Sequence, residues 1–204
     1  MVARAGWLAV CALAAALPAA AQDRPQYFPT RDVAVEYRIE GGNRNGGPQT
    51  IKIFYAAHGE WMRIDAGRRA YSIIDRAKGR MIIVMASQKS YMEMPFNPDR
   101  QRDFLLSDKV KFTRLGNDTV AGLACTIWQF EFDKRSGTAC ITADGVMLRG
   151  EAPAEASYAG KIVAVSVTYG PQPGAMFVPP AGYNRLEMPR LPPGLAPGGL
   201  PLPH

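Results

Sequence analysis

The sequence predicts a mainly β protein built around one antiparallel sheet, and three observations indicate this fold class. Segments of about six to eight residues alternate apolar and polar side chains, as half-buried strands do. Short connectors rich in Gly or basic residues separate these segments. Only one stretch carries helix signals. We therefore expect a mainly antiparallel β fold with one or two short helices.

The first strand is predicted over Asp32–Glu40, DVAVEYRIE. Val33, Val35, Tyr37 and Ile39 fall on one side of this segment, and polar residues occupy most positions of the other side. The Gly-rich connector GGNRNGG and a second alternating segment, TIKIFYA, follow. Strand, flexible connector and strand predict a β-hairpin.

Further short segments extend this pattern to residue 169, so we predict about ten strands in an antiparallel meander. They are EWMRIDAG, RAYSIID, RMIIVMA, KSYMEMPF, Val110–Leu115, Ala124–Phe132, Thr138–Thr142, Val146–Gly150 and Lys161–Tyr169. The helical candidate is NPDRQRDFLLSD. There Asn97 can act as N-cap, Pro98 suits the first helical position, and Phe104 with Leu105 forms a small apolar edge.

The N-terminal residues have the features of a secretory signal peptide. Residues 1–21 contain one positive side chain, Arg4, an apolar run over 6–17, and small residues at Ala19 and Ala21 for the peptidase. We expect cleavage after Ala21 and export to a bacterial periplasm. Paired cysteines tend to be oxidised in that compartment.

The remaining chain is predicted to hold one domain over 22–187, followed by a Pro- and Gly-rich, disordered tail over 188–204. The whole sequence has 24 Lys and Arg, so without Arg4 it has 23, against 18 Asp and Glu. These charges are dispersed, which is typical of a solvated surface and compatible with the periphery of an anionic membrane. Export and the absence of a basic run interleaved with aromatics argue against nucleic acid.

Catalytic motifs are missing from the sequence. It has no nucleophile elbow, zinc-protease helix, phosphate loop or dinucleotide fingerprint. The two histidines, His58 and His204, stand alone. Asp65, Asp75 and Asp144 could act as acid or base, but each follows or ends a strand, where turn carboxylates are common. We expect no enzyme activity, no cofactor and no metal.

Methionines offer one alternative to that expectation. Met81, Met85, Met92 and Met94 could supply soft thioether ligands for Cu(I). Methionine also fills gaps in cores and in lipid-contacting surfaces. Because no His or Cys lies nearby in the sequence, the packing role is favoured.

Cys125 and Cys140 are interpreted as a structural disulfide. They show neither a C-x-x-C spacing nor a His companion, which argues against zinc or a redox pair. A tight hairpin turning at KRSG would place Cys125 opposite Val146 and Cys140 opposite Glu131, beyond the reach of a disulfide. We therefore expect a looser loop over about residues 131–134, a bulge, or strands that are not simple hairpin partners.

The order of short motifs resembles an uncharacterised periplasmic family, domain of unknown function 4412. The motifs are MRID, IIDRAKGRMIIV, KSYMEM, TVAGLAC, ITADGVMLRG, VTYG and FVPPAGY, and the resemblance covers about Val33–Tyr183. TVAGLAC and TADGVMLR are its most specific parts. The family is similar to the lipoprotein-carrier fold (LolA-like), which implies a strongly curved, incomplete β-barrel with an apolar concave face.

The resemblance implies a protein that binds an acyl chain, a lipid or a lipid-modified protein without covalent catalysis. The implied ligand-binding residues are Val35, Tyr37, Ile39, Ile53, Met62, Ile64, Ile73, Met92 and Met94. Phe104 and Leu105 are the candidates for a movable lid. The alternative is an envelope protein-interaction or sensor module with a closed core. The oligomeric state stays open.

Overall fold

The computed structural model describes residues 24–40, 49–67, 69–96, 110–132, 135–152 and 160–187. Strands account for 64% of these residues, and the sheet they form is curved and open rather than closed into a barrel. Four predictions lie outside the described residues: the signal peptide over 1–21, the helix over 97–108, its lid residues Phe104 and Leu105, and the tail over 188–204.

Twelve strands form the sheet. In chain order they are β1 (Val33–Glu40), β2 (Gln49–Ala56), β3 (Trp61–Asp65), β4 (Ala70–Asp75), β5 (Arg80–Met85), β6 (Ser90–Pro95), β7 (Lys111–Val120), β8 (Leu123–Phe132), β9 (Arg135–Ile141), β10 (Met147–Ala152), β11 (Gly160–Tyr169) and β12 (Asn184–Leu186). The described residues also contain two 3₁₀ turns, Ala86–Gln88 and Gly174–Phe177. None of the described helices is long and apolar enough to cross a membrane.

The sheet consists of two antiparallel meanders joined side by side. The spatial order is β12-β6-β5-β4-β3-β2-β1-β11-β10-β9-β8-β7. Strands β1 to β6 therefore neighbour each other in sequence order, and so do β7 to β11. The pair β1·β11 joins the two meanders, with Val33 opposite Tyr169 and a bulge between Glu36 and Tyr37. Short β12 adds a parallel pairing to β6.

The predicted mainly β, antiparallel fold is confirmed, and most predicted strands differ from the observed ones by one to three residues at either end. Two features were not predicted. Strand β7 continues through Gly116, Asn117 and Asp118 to Val120, residues that are uncommon in strands. Strand β12 follows a turn at Pro180–Tyr183 and has only three residues, too few for a periodic signal.

Apolar side chains pack on both sides of the sheet. We call the side that carries Val33, Val35 and Tyr37 the central face. On the opposite face, residues 24–31, the N-terminal segment, pack with the β8–β9 cluster, where Tyr27 contacts Phe112 edge to face at 5.1 Å. Residues 174–183, the C-terminal segment, pack against β2 to β6 through buried Phe177. Both faces therefore contain apolar rows, which complicates face assignment from sequence.

The disulfide between Cys125 and Cys140 is present, with 5.4 Å between the Cα atoms. Strands β8 and β9 pair as a simple hairpin up to Phe132 opposite Arg135, which places Cys140 opposite Ile127. The cysteines therefore lie diagonally on one face, two residues out of register. The expected looser loop, bulge or non-hairpin pairing was wrong: the strands form a simple hairpin in a register two residues away from a turn at KRSG, and this register brings the cysteines within reach.

Candidate functional site

Two rows of side chains cross the central face over seven neighbouring strands. Strand pairing defines both rows, because directly opposed residues point to the same side of a sheet. The first row contains Tyr169, Val33, Tyr55, Met62, Ile74, Met81 and Met94. The second row contains Val167, Val35, Ile53, Ile64, Ser72, Ile83 and Met92, and Leu186 extends it at the edge. With strands ~4.8 Å apart, six spacings make each row about 29 Å long.

Exposure increases along the second row from the centre of the sheet towards β6. Val33, Val35 and Tyr37 have no accessible surface, whereas Leu186 at the far edge is 40% exposed. Between them, the row members on β5 and β6 are half-buried: Met81, Ile83, Met92 and Met94. We call Met81, Met92 and Met94 the Met-rich end; Met81 lies directly opposite Met94. Flexible, polarisable thioethers adapt to varied apolar neighbours, so this end can adjust to apolar groups of different shapes.

The structure places eight of the nine predicted ligand-binding residues on the central face. Val35, Tyr37, Ile53 and Met62 are buried there, and Ile39, Ile64, Met92 and Met94 are half-buried. Whether any of them contacts a ligand stays a prediction.

The ninth predicted residue, Ile73, was assigned to the wrong side of the sheet, because its side chain lies on the opposite face. It packs there with Ala56, Ile82, Val84 and Phe177 beneath the C-terminal segment. Its neighbour Ile74 occupies the central face instead, opposite Met62.

Sequence reasoning missed Ile74 and Ile83, and it weighed Met81 as a copper ligand or a packing residue without assigning it to the ligand-binding face. RMIIVM is apolar at five consecutive positions, so alternation cannot assign its faces. The usable signal is register: once Met92 and Met94 are assigned to the central face, hairpin pairing places Ile83 and Met81 opposite them. Only a known pairing supplies that information.

Tyr37 gives the buried centre of this face its main polar contact. Its hydroxyl donates a 2.7 Å hydrogen bond to the carbonyl oxygen of Met147 on β10. Burial, with smaller contributions from Tyr55, raises the pKa of Tyr37 well above its ordinary value. The phenol therefore stays neutral and acts as a tie between β1 and β10 rather than as an acid.

Two of the candidate carboxylates serve structural contacts. Asp75 is 1% exposed and accepts hydrogen bonds from the Lys78 amide at 3.0 Å and from Arg80 Nε at 3.1 Å. Asp65 accepts two hydrogen bonds from Arg63, of 2.7 and 3.1 Å. The groups that donate to these two carboxylates are arginine side chains and a turn amide, and such contacts are typical of carboxylates at the ends of strands.

Asp144 forms a polar clasp between the β9–β10 turn and the N-terminal segment. Its carboxylate accepts hydrogen bonds from Thr142 Oγ1 at 2.6 Å, Tyr169 at 3.2 Å and Arg31 at 2.7 and 3.1 Å. Burial by itself would raise the pKa of Asp144, but the hydrogen bonds from Thr142, Arg31 and Tyr169 outweigh burial and hold it below its ordinary value. The carboxylate is therefore ionised and fully engaged in holding the fold.

Among the described residues, no group of three His, Cys, Asp or Glu side chains is placed so that it could hold a metal ion. The described chain also has an open depression of about 410 Å³ lined by Arg31, Asp32, Tyr169, Gly170 and Pro171. Arg31 and Asp32 are already engaged there. Arg31 binds Asp144, and the Asp32 carboxylate accepts from the amides of Ala57 and Gln172 at 3.0 and 3.1 Å. The central face is thus the stronger candidate site.

The family model described as domain of unknown function (DUF4412) matches residues 52–149, which confirms the resemblance over this range. It spans β2 to β9 and the start of β10, and thus includes the disulfide and the Met-rich end. No curated protein matches the chain.

Several solved structures have a similar fold. MucB is 13% identical, with 76% of this chain and 60% of that chain covered and a TM-score of 0.51, so this chain spans about 60% of the length of MucB. The Pseudomonas aeruginosa MucA/MucB complex matches at 16% identity over 70% and 53%, with a TM-score of 0.45. A LolA superfamily protein from Nitrosomonas europaea matches at 7% identity over 75% and 92%, with a TM-score of 0.40. At these identities the likeness shows the fold alone.

Proposed function

We propose that this protein is an exported, periplasmic binding protein without catalytic activity, and that its central face takes an acyl chain of a lipid or of a lipid-modified protein. The observation that carries the proposal is the pair of apolar rows across seven strands. The only polar side chain in either row, apart from the tyrosine hydroxyls, is Ser72. A long, narrow apolar track matches a linear hydrocarbon better than a compact ligand.

The increase in exposure along the second row indicates where a ligand would enter. The buried centre at Val35 and Tyr37 gives way to half-buried Met92 and Met94 and then to exposed Leu186. An acyl chain would enter at the Met-rich end, at the β6 side of the sheet, and run towards β1. Burying each CH₂ group contributes about 0.8 kcal/mol.

Compartment and chemistry agree with this role. The disulfide is typical of exported proteins. The described carboxylates Asp65, Asp75 and Asp144 are all tied to cations, hydroxyls or amides. A nucleic-acid partner has no support, and dispersed positive charge would favour a position at the membrane periphery.

The experiment is native mass spectrometry of the protein purified from its own periplasm, followed by organic extraction and lipid analysis. We expect co-purifying acyl species, and we expect Ile64→Asp to lose them, because Ile64 is a half-buried member of the second row. Leu115→Asp is the matched control: Leu115 is 54% exposed on edge strand β7, away from the rows. An empty wild-type protein that also fails to take up a fluorescent fatty acid would refute the proposal.

A second candidate is a protein-interaction or sensor module with a closed core. The complete burial of Val33, Val35 and Tyr37 favours it, because a sealed centre resembles a filled core more than an open cavity. This candidate predicts that Ile64→Asp lowers stability without changing any lipid content. Native mass spectrometry of the same variants separates the two candidates.

A further inference from the structure

Ser90 is a buried hydroxyl on the central face beside the Met-rich end. It begins β6 two residues after the end of the 3₁₀ turn Ala86–Gln88 and lies opposite Met85 on β5 and Asn184 on β12. Met92 follows two residues later on the same face, about 7 Å along the strand. Ser90 therefore lies one step beyond the second row, at the end of the rows where we place ligand entry.

The Ser90 hydroxyl has no hydrogen-bond partner within the described part of the chain. The residue is 4% exposed, and its Oγ is buried and unpartnered. Two other buried polar side chains, Arg24 and Tyr27, interact with each other. Those two residues lie together on the N-terminal segment, and Arg24 affects the pKa of Tyr27. Ser90 has no such neighbour, although native proteins rarely leave a buried hydroxyl unsatisfied.

We propose that Ser90 donates a hydrogen bond to the carbonyl oxygen of a bound acyl ligand and so fixes its head group at the β5–β6 end. This inference deepens the proposed function and rests on it. A hydroxyl is a donor that an ester or carboxyl oxygen can accept from, and the methionines beside it offer no competing strong acceptor. The chain of such a ligand would then follow the second row past Met92 and Ile83 towards Val35.

The proposed contact gives the site a preference. An acyl compound with a carbonyl oxygen should bind more tightly than an alkane of equal length, because only the first satisfies the Ser90 hydroxyl. The contact also sets the direction of the ligand, head group at β6 and tail at β1, which the apolar rows alone do not determine.

The test is displacement of 1-anilinonaphthalene-8-sulfonate by methyl laurate, lauric acid and dodecane. We expect Ser90→Ala to weaken methyl laurate and lauric acid by about three- to tenfold, the value of one neutral hydrogen bond, and to leave dodecane unchanged. Ser166→Ala is the matched control, since Ser166 is exposed on β11 and pairs with Glu36 on the face opposite the rows. It should change none of the three.

Each outcome has a separate meaning. If the wild type binds methyl laurate and Ser90→Ala binds it equally well, the contact with Ser90 is refuted and the proposed function stands. If the wild type binds none of the probes, the proposed function itself is refuted. Loss for lauric acid alone would keep the hydrogen bond and assign the site to free fatty acids rather than esters. The urea midpoint of ligand-free Ser90→Ala should not fall, because the hydroxyl lacks a partner, and this checks folding.

Discussion

Replacing Asp144 by Asn should release the polar clasp that ties the N-terminal segment to the β9–β10 turn. The carboxylate accepts four hydrogen bonds, from Thr142, Tyr169 and, twice, Arg31. Hydrogen bonds to charged groups contribute about 1.5 to 3 kcal/mol each. The Arg31 side chain is 62% exposed, so its ion pair contributes less than about 1 kcal/mol. Because Asn keeps one acceptor oxygen, we expect a loss of about 2 to 4 kcal/mol at pH 7.

The loss should depend on pH with a defined sign. The pKa of Asp144 in the folded protein lies below its ordinary value. Its contribution to stability is therefore complete above the unfolded-state pKa of about 3.9 and disappears as the pH falls through the folded-state pKa. The difference between wild type and Asp144→Asn should be constant from pH 5 to 8 and should narrow below about pH 3.9.

Urea unfolding followed by Trp fluorescence at several pH values measures this difference. Asp118→Asn serves as the control, since the pKa of Asp118 is also lowered, first by its hydrogen bond from the Thr119 amide, but the carboxylate is exposed. It should lose much less stability. A change below about 0.5 kcal/mol for Asp144→Asn at pH 7, or a difference that does not narrow in acid, would refute the clasp.

Three further predictions concern packing and covalent structure. Replacing Cys125 and Cys140 by Ala should lower the free energy of unfolding in chemical denaturation by about 3 kcal/mol, because the bridge closes a separation of 15 residues. Ligand binding should not be lost. Equal stability of the variant and the wild type would contradict a structural role for the disulfide. Ile73→Ala should lower the free energy of unfolding by about 2 to 5 kcal/mol yet leave the uptake of acyl ligands unchanged. Ile64→Ala should instead weaken this uptake. The opposite pattern in a fatty-acid titration would show that our assignment of the two residues to opposite faces is wrong. Gly145→Ala should lower the midpoint of thermal unfolding, because φ of Gly145 is +95° and an added Cβ would lie 2.2 Å from the carbonyl oxygen of Phe28 in the N-terminal segment. An unchanged midpoint would show that this segment does not pack against the β9–β10 turn.

Period-two alternation predicts β1 and β2 well because one of their faces is mostly polar. It fails in β4, where Ile73 and Ile74 are adjacent and each is buried on its own face. The choice between them depends on what covers the opposite face, and the C-terminal segment that does so lies about 100 residues later. For the same reason the central face could be predicted from β1 and β2, but its members on β4 and β5 could not.

The disulfide shows a different limit of prediction from the sequence. Cysteine spacing and compartment were enough to predict the bridge, since neither depends on register. The register of the hairpin was not predicted, because the only tight hairpin considered turned at KRSG, two residues away from the observed pairing of Phe132 with Arg135. Turn composition is a weak guide where strand pairing and the bridge itself select the register.

The joint between β1 and β11 has a consequence for how the protein folds. Each meander needs only contacts between neighbours in sequence, which form early, whereas Val33 must find Tyr169, which lies 136 residues later in the chain. Non-local pairings of this kind slow folding. Until β11 is available, one edge of β1 remains unpaired and open to other chains. Under the export that we propose, delivery through a channel with β1 leading and β11 late would prolong that interval, and the protein would then depend strongly on chaperones that protect its first strand.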